Sequence, residues 1–260
     1  MQQRRTLVVL FVLIAAGGLL FWNLQHVTSP IRISNPRAVL SVDGEGPAAI
    51  YLTLENTGGP DVLKTMSSMA SEHVMIMGID EDRPIVIPAG SKPGFSSDGA
   101  HAMINGLEPG LVDGTFVPLV LEFERAGRVS VKARVSRGTQ AVGMDHSQHG
   151  GVGHTVEEEP VPSVALDVQA ARDVYVVTIE TQNFEFFQPE ADSAEHMPGQ
   201  GHAHLYLNGL KLQRMFDHSA TIGALPPGRH TVRVTLNTND HKTYIVDGQP
   251  VGAATEINVE

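Results

Sequence analysis

Thioether and imidazole side chains recur at two-residue intervals in two short apolar stretches of this chain. The first reads Glu72-His73-Val74-Met75-Ile76-Met77 and the second His101-Ala102-Met103. In an extended strand, residues i and i+2 point to the same face. His73, Met75 and Met77 therefore share one face, and His101 and Met103 share another. Two such strands lying side by side would bring soft sulfur and borderline nitrogen donors together. That donor set suits Cu(I), and it suits zinc, calcium or magnesium poorly, because thioether is a weak ligand for harder ions. Methionine also fills cores, and Val74–Met77 is apolar on both faces, so Met75 or Met77 alone reads as core. The His-x-Met pair is different. It follows Ser96-Ser97-Asp98-Gly99-Ala100, polar turn material in which a core histidine is out of place.

A second group of donors lies further along the chain. Histidines gather at Glu195-His196-Met197, Gly201-His202-Ala203-His204, Asp217-His218 and Asn239-Asp240-His241. His202 and His204 share a strand face by the same two-residue rule, and His241 stands at a strand end that can reach the same rim. With His218 they form a nitrogen-rich candidate set for Cu(II). A carboxylate beside a metal-bound histidine orients its ring, so Asp217 and Asp240 are the candidate orienting groups. His230, inside a strand, reads as a hydrogen-bonded structural residue. A further tract, Gly143-Met144-Asp145-His146-Ser147-Gln148-His149-Gly150-Gly151-Val152-Gly153-His154, reads as a spacer able to scavenge Cu(II) or Zn(II).

The elements that must position these donors are strands. Aromatics make up 5% of the 260 residues, glycine and proline number 26 and 16, and no long amphipathic helical pattern occurs. Short apolar runs separated by turn residues predict a mainly β protein, and the length allows about two cores. The net charge of −11 without basic clusters excludes a nucleic-acid partner. The absence of cysteine excludes disulfides and thiolate chemistry. No phosphate loop, nucleophile elbow, His-Glu-x-x-His or Walker lysine is present, and the expectation is a protein that is not an enzyme.

The chain order follows from these signals. Residues 1–30 hold Arg4 and Arg5 followed by an uncharged run, Thr6–Trp22, close to the roughly 20 residues a bilayer helix needs. The reading is a signal anchor in a bacterial inner membrane, with the soluble domains in the periplasm. The alternative is a signal cleaved near Ala16–Gly18, leaving a soluble periplasmic protein. Residues 31–136 form a first β domain, in which a hairpin is expected after Met77, through the charged turn Ile79–Arg83. Residues 137–162, rich in His, Gly and Glu, form a flexible linker. Residues 163–260 form a second sandwich of immunoglobulin-like type, with Leu225-Pro226-Pro227-Gly228 as the turn before its long strand.

The order Ile50-Tyr51-Leu52-Thr53-Leu54-Glu55-Asn56-Thr57-Gly58, Ile87-Pro88-Ala89-Gly90, His101-Ala102-Met103, Gly106-Leu107 and Val117-Pro118-Leu119-Val120-Leu121-Glu122-Phe123 resembles the PCu(A)C periplasmic copper chaperones. The resemblance covers nearly all of 31–136. It implies a cupredoxin-like β-sandwich that binds Cu(I) and supplies copper for cytochrome c oxidase assembly. The pattern of that family is His or Met, ten residues, Met, 21 residues, then His-x-Met. His101 and Met103 match the final pair, but Ile79 stands where the pattern has methionine. Met77 is then assigned to the first His-or-Met position, with Met75 as the substitute donor and His73 completing the shell. The second domain looks like an exported β-sandwich found near copper-handling genes. The expected function is a membrane-tethered copper chaperone whose partner is a copper-accepting exported protein such as an oxidase subunit. The alternatives are copper storage or tolerance, and an exported assembly module without bound metal.

Overall fold

Alternating apolar and polar residues, broken by glycine, proline and asparagine, leave the chain little choice but short strands. The computed structural model describes residues 29–40, 46–71, 73–80, 82–106, 112–138, 153–156, 160–188 and 196–260. Every regular element among them is a strand, as the composition predicts. The expected anchor helix within residues 1–30 and most of the expected linker lie outside the described residues. Among the described residues no helix is long and apolar enough to cross a membrane.

The first half carries β1 (Ile31–Leu40), β2 (Ala48–Asn56), β3 (Asp61–Ser67), β4 (His73–Met77), β5 (Ile85–Ile87), β6 (Gly94–Phe95), β7 (His101–Asn105), β8 (Phe116–Phe123) and β9 (Gly127–Arg137). Pairing runs β4–β7–β2–β1–β9–β8–β3–β5, antiparallel except for β1 with β9. Ile50, Leu52, Leu54, Ile87, Ala102, Ile104, Leu119 and Leu121 are buried together in its core. The hairpin expected after Met77 does not form. β4 pairs with β7 and β5 with β3, so 78–84 crosses between strands that are not partners. Gly78 and Asp82 take left-handed φ angles of 72° and 59° along that crossing. Proline at 84 removes a ladder donor just before β5.

The second half carries β10 (Gly153–Thr155), β11 (Ser163–Ala171), β12 (Val174–Gln182), β13 (Glu185–Phe186), β14 (Gln200–Leu207), β15 (Leu210–Met215), β16 (Ser219–Ile222), β17 (Gly228–Thr238), β18 (Thr243–Val246), β19 (Gln249–Pro250) and β20 (Gly252–Val259). β15, β14, β17 and β20 lie side by side, and β11, β12 and β16 make a separate three-stranded sheet. Val177, Ile179, Leu205, Leu207, Val232, Val234 and Tyr244 fill the core between them. Within the stretch read as a linker, Gly153–Thr155 instead adds to β18 in parallel.

The halves are built into each other. Residues 31–260 form one compact unit. Leu210 of the second half sits in the first core, and Val86 of the first half in the second. The Ala100 amide donates to the Gly209 carbonyl at 3.0 Å, the Ala89 amide to Ala224 at 3.1 Å, and the Asn208 side chain to Pro84 at 2.9 Å. Arg83 pairs with Glu256. Gly209, at φ 85°, is where a side chain would not fit: a Cβ there would collide with the Gly78 carbonyl.

Candidate metal centres

The register of β4 on β7 decides what the first donor group can do. Met77 stands directly opposite His101, Met75 opposite Met103, and His73 opposite Asn105. Directly opposed residues in an antiparallel pair share a face, with Cβ atoms roughly 4.5–5.5 Å apart. Val74 and Ile76 turn to the core, as do Ala102 and Ile104. The donors therefore all project from the other face, away from the packed interior. Met103 is 5% exposed and Met75 47%. One thioether is thus held firmly and another is open to exchange. The Nδ1 of His101 donates to the Gly99 carbonyl at 3.0 Å, which leaves the Nε2 lone pair free to bind an ion.

Sequence reasoning passed over Met66. It lies on β3, and ten residues separate it from Met77. Met66, His73 and Met75 line one cavity of about 250 Å³, with Ser67, Ser68, Ser71 and Val74. The ten-residue interval between Met66 and Met77 is the signal that could have found it. Met66 and Met77 keep the ten-residue interval of the pattern, while 23 residues, not 21, separate Met77 from His101.

A second group is assembled by β14 and the turn before β18. Ligand nitrogens of His202, His204 and His241 all lie within 4.8 Å of one another. His202 Nε2 is 2.8 Å from His204 Nε2, and His241 Nδ1 is 3.4 Å from His202 Nε2. His202 and His204 are buried, and His241 is half-buried at φ 65°. The turn that holds it is closed by the His241 amide on Thr238 at 3.0 Å and the Lys242 amide on the Thr238 hydroxyl at 3.0 Å.

The orienting carboxylate comes from the first half. Asp98 Oδ2 accepts from His204 Nδ1 at 2.6 Å, Lys211 Nζ at 2.7 Å and the Tyr206 hydroxyl at 3.0 Å. Burial alone would raise the Asp98 carboxyl, but the His204 and Lys211 contacts hold it well below the usual carboxylate range. Burial lowers the His204 imidazole to about 4 against the opposing pull of Asp98. Burial and the neighbouring His204 and His241 lower His202 to about 2. Burial also lowers the Lys211 ammonium, which Asp98 counters, and it raises the Tyr206 phenol. Both buried imidazoles are therefore neutral near pH 7, the form that ligates metals.

Other candidates fall outside these groups. His218 rests on the Phe186 ring at 4.9 Å, its side chain 58% exposed, away from the triad. Asp217 is 84% exposed, and Asp240 turns to Lys242 and Thr238, so neither orients a triad histidine as expected. His230 is a structural residue, donating to Pro226 at 2.9 Å and accepting from Asn208 at 3.2 Å. His154 and His196 meet with ring centroids 4.0 Å apart beside Tyr244. His146 and His149 lie outside the described residues.

Residues 31–135 match the family model described as "Putative lipoprotein LpqE-like". The solved structures similar to this chain include the apo PCuAC domain from PmoF1, 24% identical, covering 42% of this chain and 95% of that one, with a TM-score of 0.39. The copper-bound PCuAC domain from PmoF2 is 24% identical, covering 44% and 97%, with a TM-score of 0.38. Apo-DR1885 from Deinococcus radiodurans is 21% identical, covering 44% and 84%, with a TM-score of 0.37. Comparison with functionally curated proteins gives no match. The second half of the chain lies beyond the family match.

Proposed function

We propose that this is an exported, non-enzymatic copper-handling protein that binds Cu(I) on the outer face of β4 and β7. The observation that carries the reading is the register that sets Met77 against His101 and Met75 against Met103. Thioethers hold Cu(I) without the oxidation liability of thiols, and the half-exposed Met75 gives an acceptor a point of entry. Met66 and His73 border the same cavity and are the further donors of the set. The family match to a lipoprotein supports export. These 260 residues contain no cysteine to carry a lipid, so the anchor we propose is the apolar run Thr6–Trp22 in the bacterial inner membrane, with the β region in the periplasm. The proposed partner is an exported copper acceptor, such as a cytochrome c oxidase subunit. Cu(I) titration under reducing conditions against a competing chelator tests the site. His101→Ala with Met103→Ala should remove one tightly held equivalent; unchanged stoichiometry refutes it.

A further inference from the structure

We infer that His202, His204 and His241 form a second binding centre, for one divalent cation that prefers nitrogen donors, with Asp98 positioning His204. The inference stands apart from the Cu(I) reading, because it involves other residues and another donor chemistry.

The geometry is close to that of a loaded site. Imidazole nitrogens bind Zn(II) at about 2.0–2.1 Å, which places the donors of a tetrahedral ion about 3.4 Å apart. Two of the three nitrogen separations here are 2.8 and 3.4 Å and all three lie within 4.8 Å, so an ion is reached by ring shifts of up to about an ångström. The proton positions also agree. His204 gives its Nδ1 proton to Asp98, which leaves an Nε2 lone pair aimed at His202. This is the carboxylate–histidine arrangement that fixes a metal-binding tautomer. His241 is the third donor, brought in by a left-handed φ of 65° that few side chains adopt. A non-glycine residue kept in that region by two turn hydrogen bonds points to a use for its ring.

The charges around the trio define how an ion enters. Lys211 Nζ lies 3.2 Å from His204 Nε2 and opposes a cation, while Asp98 offsets it. The entering ion takes over the His204 Nε2 lone pair, which faces His202 at 2.8 Å and Lys211 at 3.2 Å, and Lys211 keeps its bond to Asp98. Arg214 adds a weaker repulsion felt by both buried rings. The half-buried His241 marks the way in. Three nitrogens and no sulfur select a borderline divalent ion, and the ordinary affinity order puts Cu(II) ahead of Zn(II).

Zn(II), which is diamagnetic and a poor thioether ligand, is the probe. It is added to the full chain while imidazole 15N shifts are followed. The rings of His202, His204 and His241 should move together and saturate at one equivalent, with His230 still; if they do not move, the site is refuted. Cu(II) should then displace the Zn(II) and give an electron paramagnetic resonance spectrum coupled to three nitrogens. A spectrum without that coupling also overturns the assignment. Asp98→Asn tests positioning: metal-free His204 should lose its pure Nδ1–H tautomer, and Zn(II) affinity should fall about 10- to 100-fold. An unchanged tautomer and affinity remove Asp98 from the centre. Failure of this site leaves the Cu(I) titration of the β4–β7 face untouched, and the reverse holds too.

Discussion

Replacing Asp98 by asparagine keeps the shape of the side chain and removes its charge. The Tyr206 hydroxyl can still donate to the amide oxygen, while Lys211 and the His204 ring lose the charge they face, and the larger loss falls on Lys211. That ammonium is 16% exposed and Asp98 13%, so water reaches the pair only in part. Breaking a fully buried pair costs about 3–5 kcal/mol, because the surviving charge stays desolvated. Allowing for the residual exposure, Asp98→Asn should cost about 2–4 kcal/mol in urea unfolding of the full chain. Removing both charges should be far milder, since apolar replacement of a buried pair is often neutral. Asp98→Asn with Lys211→Met should therefore recover most of the loss, and the cycle should show coupling of at least about 1 kcal/mol. A single-variant cost under about 1 kcal/mol, or a double variant as unstable as the sum of its parts, would show that the Asp98–Lys211 contact does not hold the halves together.

The buried imidazoles set a pH dependence. Their folded values lie below the ordinary 6.5, so above about pH 6.5 both states are neutral, and below it the unfolded chain takes up protons that the folded protein refuses. Stability should fall as pH drops from 6.5 toward 4, by up to about 2.7 kcal/mol per pH unit for the two groups, and a urea midpoint flat over that range would contradict the burial argument. Met75→Leu removes a donor that is 47% exposed, so Cu(I) affinity should fall while the melting temperature changes by less than a few degrees. Gly209→Ala adds a Cβ at φ 85° against the Gly78 carbonyl and should cost at least about 1–2 kcal/mol in urea unfolding, with the Met77 methyl resonance displaced.

Much of this was legible because strand geometry has a period of two. His73, Met75 and Met77 alternate with Val74 and Ile76, and that alternation appears unchanged in the folded chain. The same rule joined His202 to His204, and the long strand after Leu225-Pro226-Pro227-Gly228 begins where the turn residues ended. Pairing partners were not legible. Nothing local says that β4 lies against β7 and not β5, since that choice depends on closing loops and burying Val74 and Ile76 over Ala102 and Ile104. Asp98 was missed for a related reason. It sits among serines and glycines that read as solvent-facing turn, and only long-range packing brings it 2.6 Å from a histidine 106 positions away. Strand β11 shows the same period of two, with Val164, Leu166 and Val168 alternating with Asp167 and Gln169, although the segment is polar overall.

The position of Asp98 bears on the Cu(I) face as well. It lies three residues before His101, in a turn made of serines, glycine and alanine that would by itself be mobile. The second half fixes that turn at two points: Asp98 on His204, Lys211 and Tyr206, and the Ala100 amide on the Gly209 carbonyl. Within the turn, Ser96 and Ala100 close on each other at 2.9 Å, and His101 is held by the Gly99 carbonyl at 3.0 Å. The ring of His101 is thus oriented by a carbonyl whose own position depends on residues more than a hundred places further along the chain. A donor strand anchored in this way loses less entropy when an ion binds than one left to find its geometry. The Asn208–Gly209 turn packs against Gly78 and Gly99, next to Met77 and two positions before His101. The second half therefore acts on the thioether face by fixing the two loops that meet at one end of it, after Met77 and before His101.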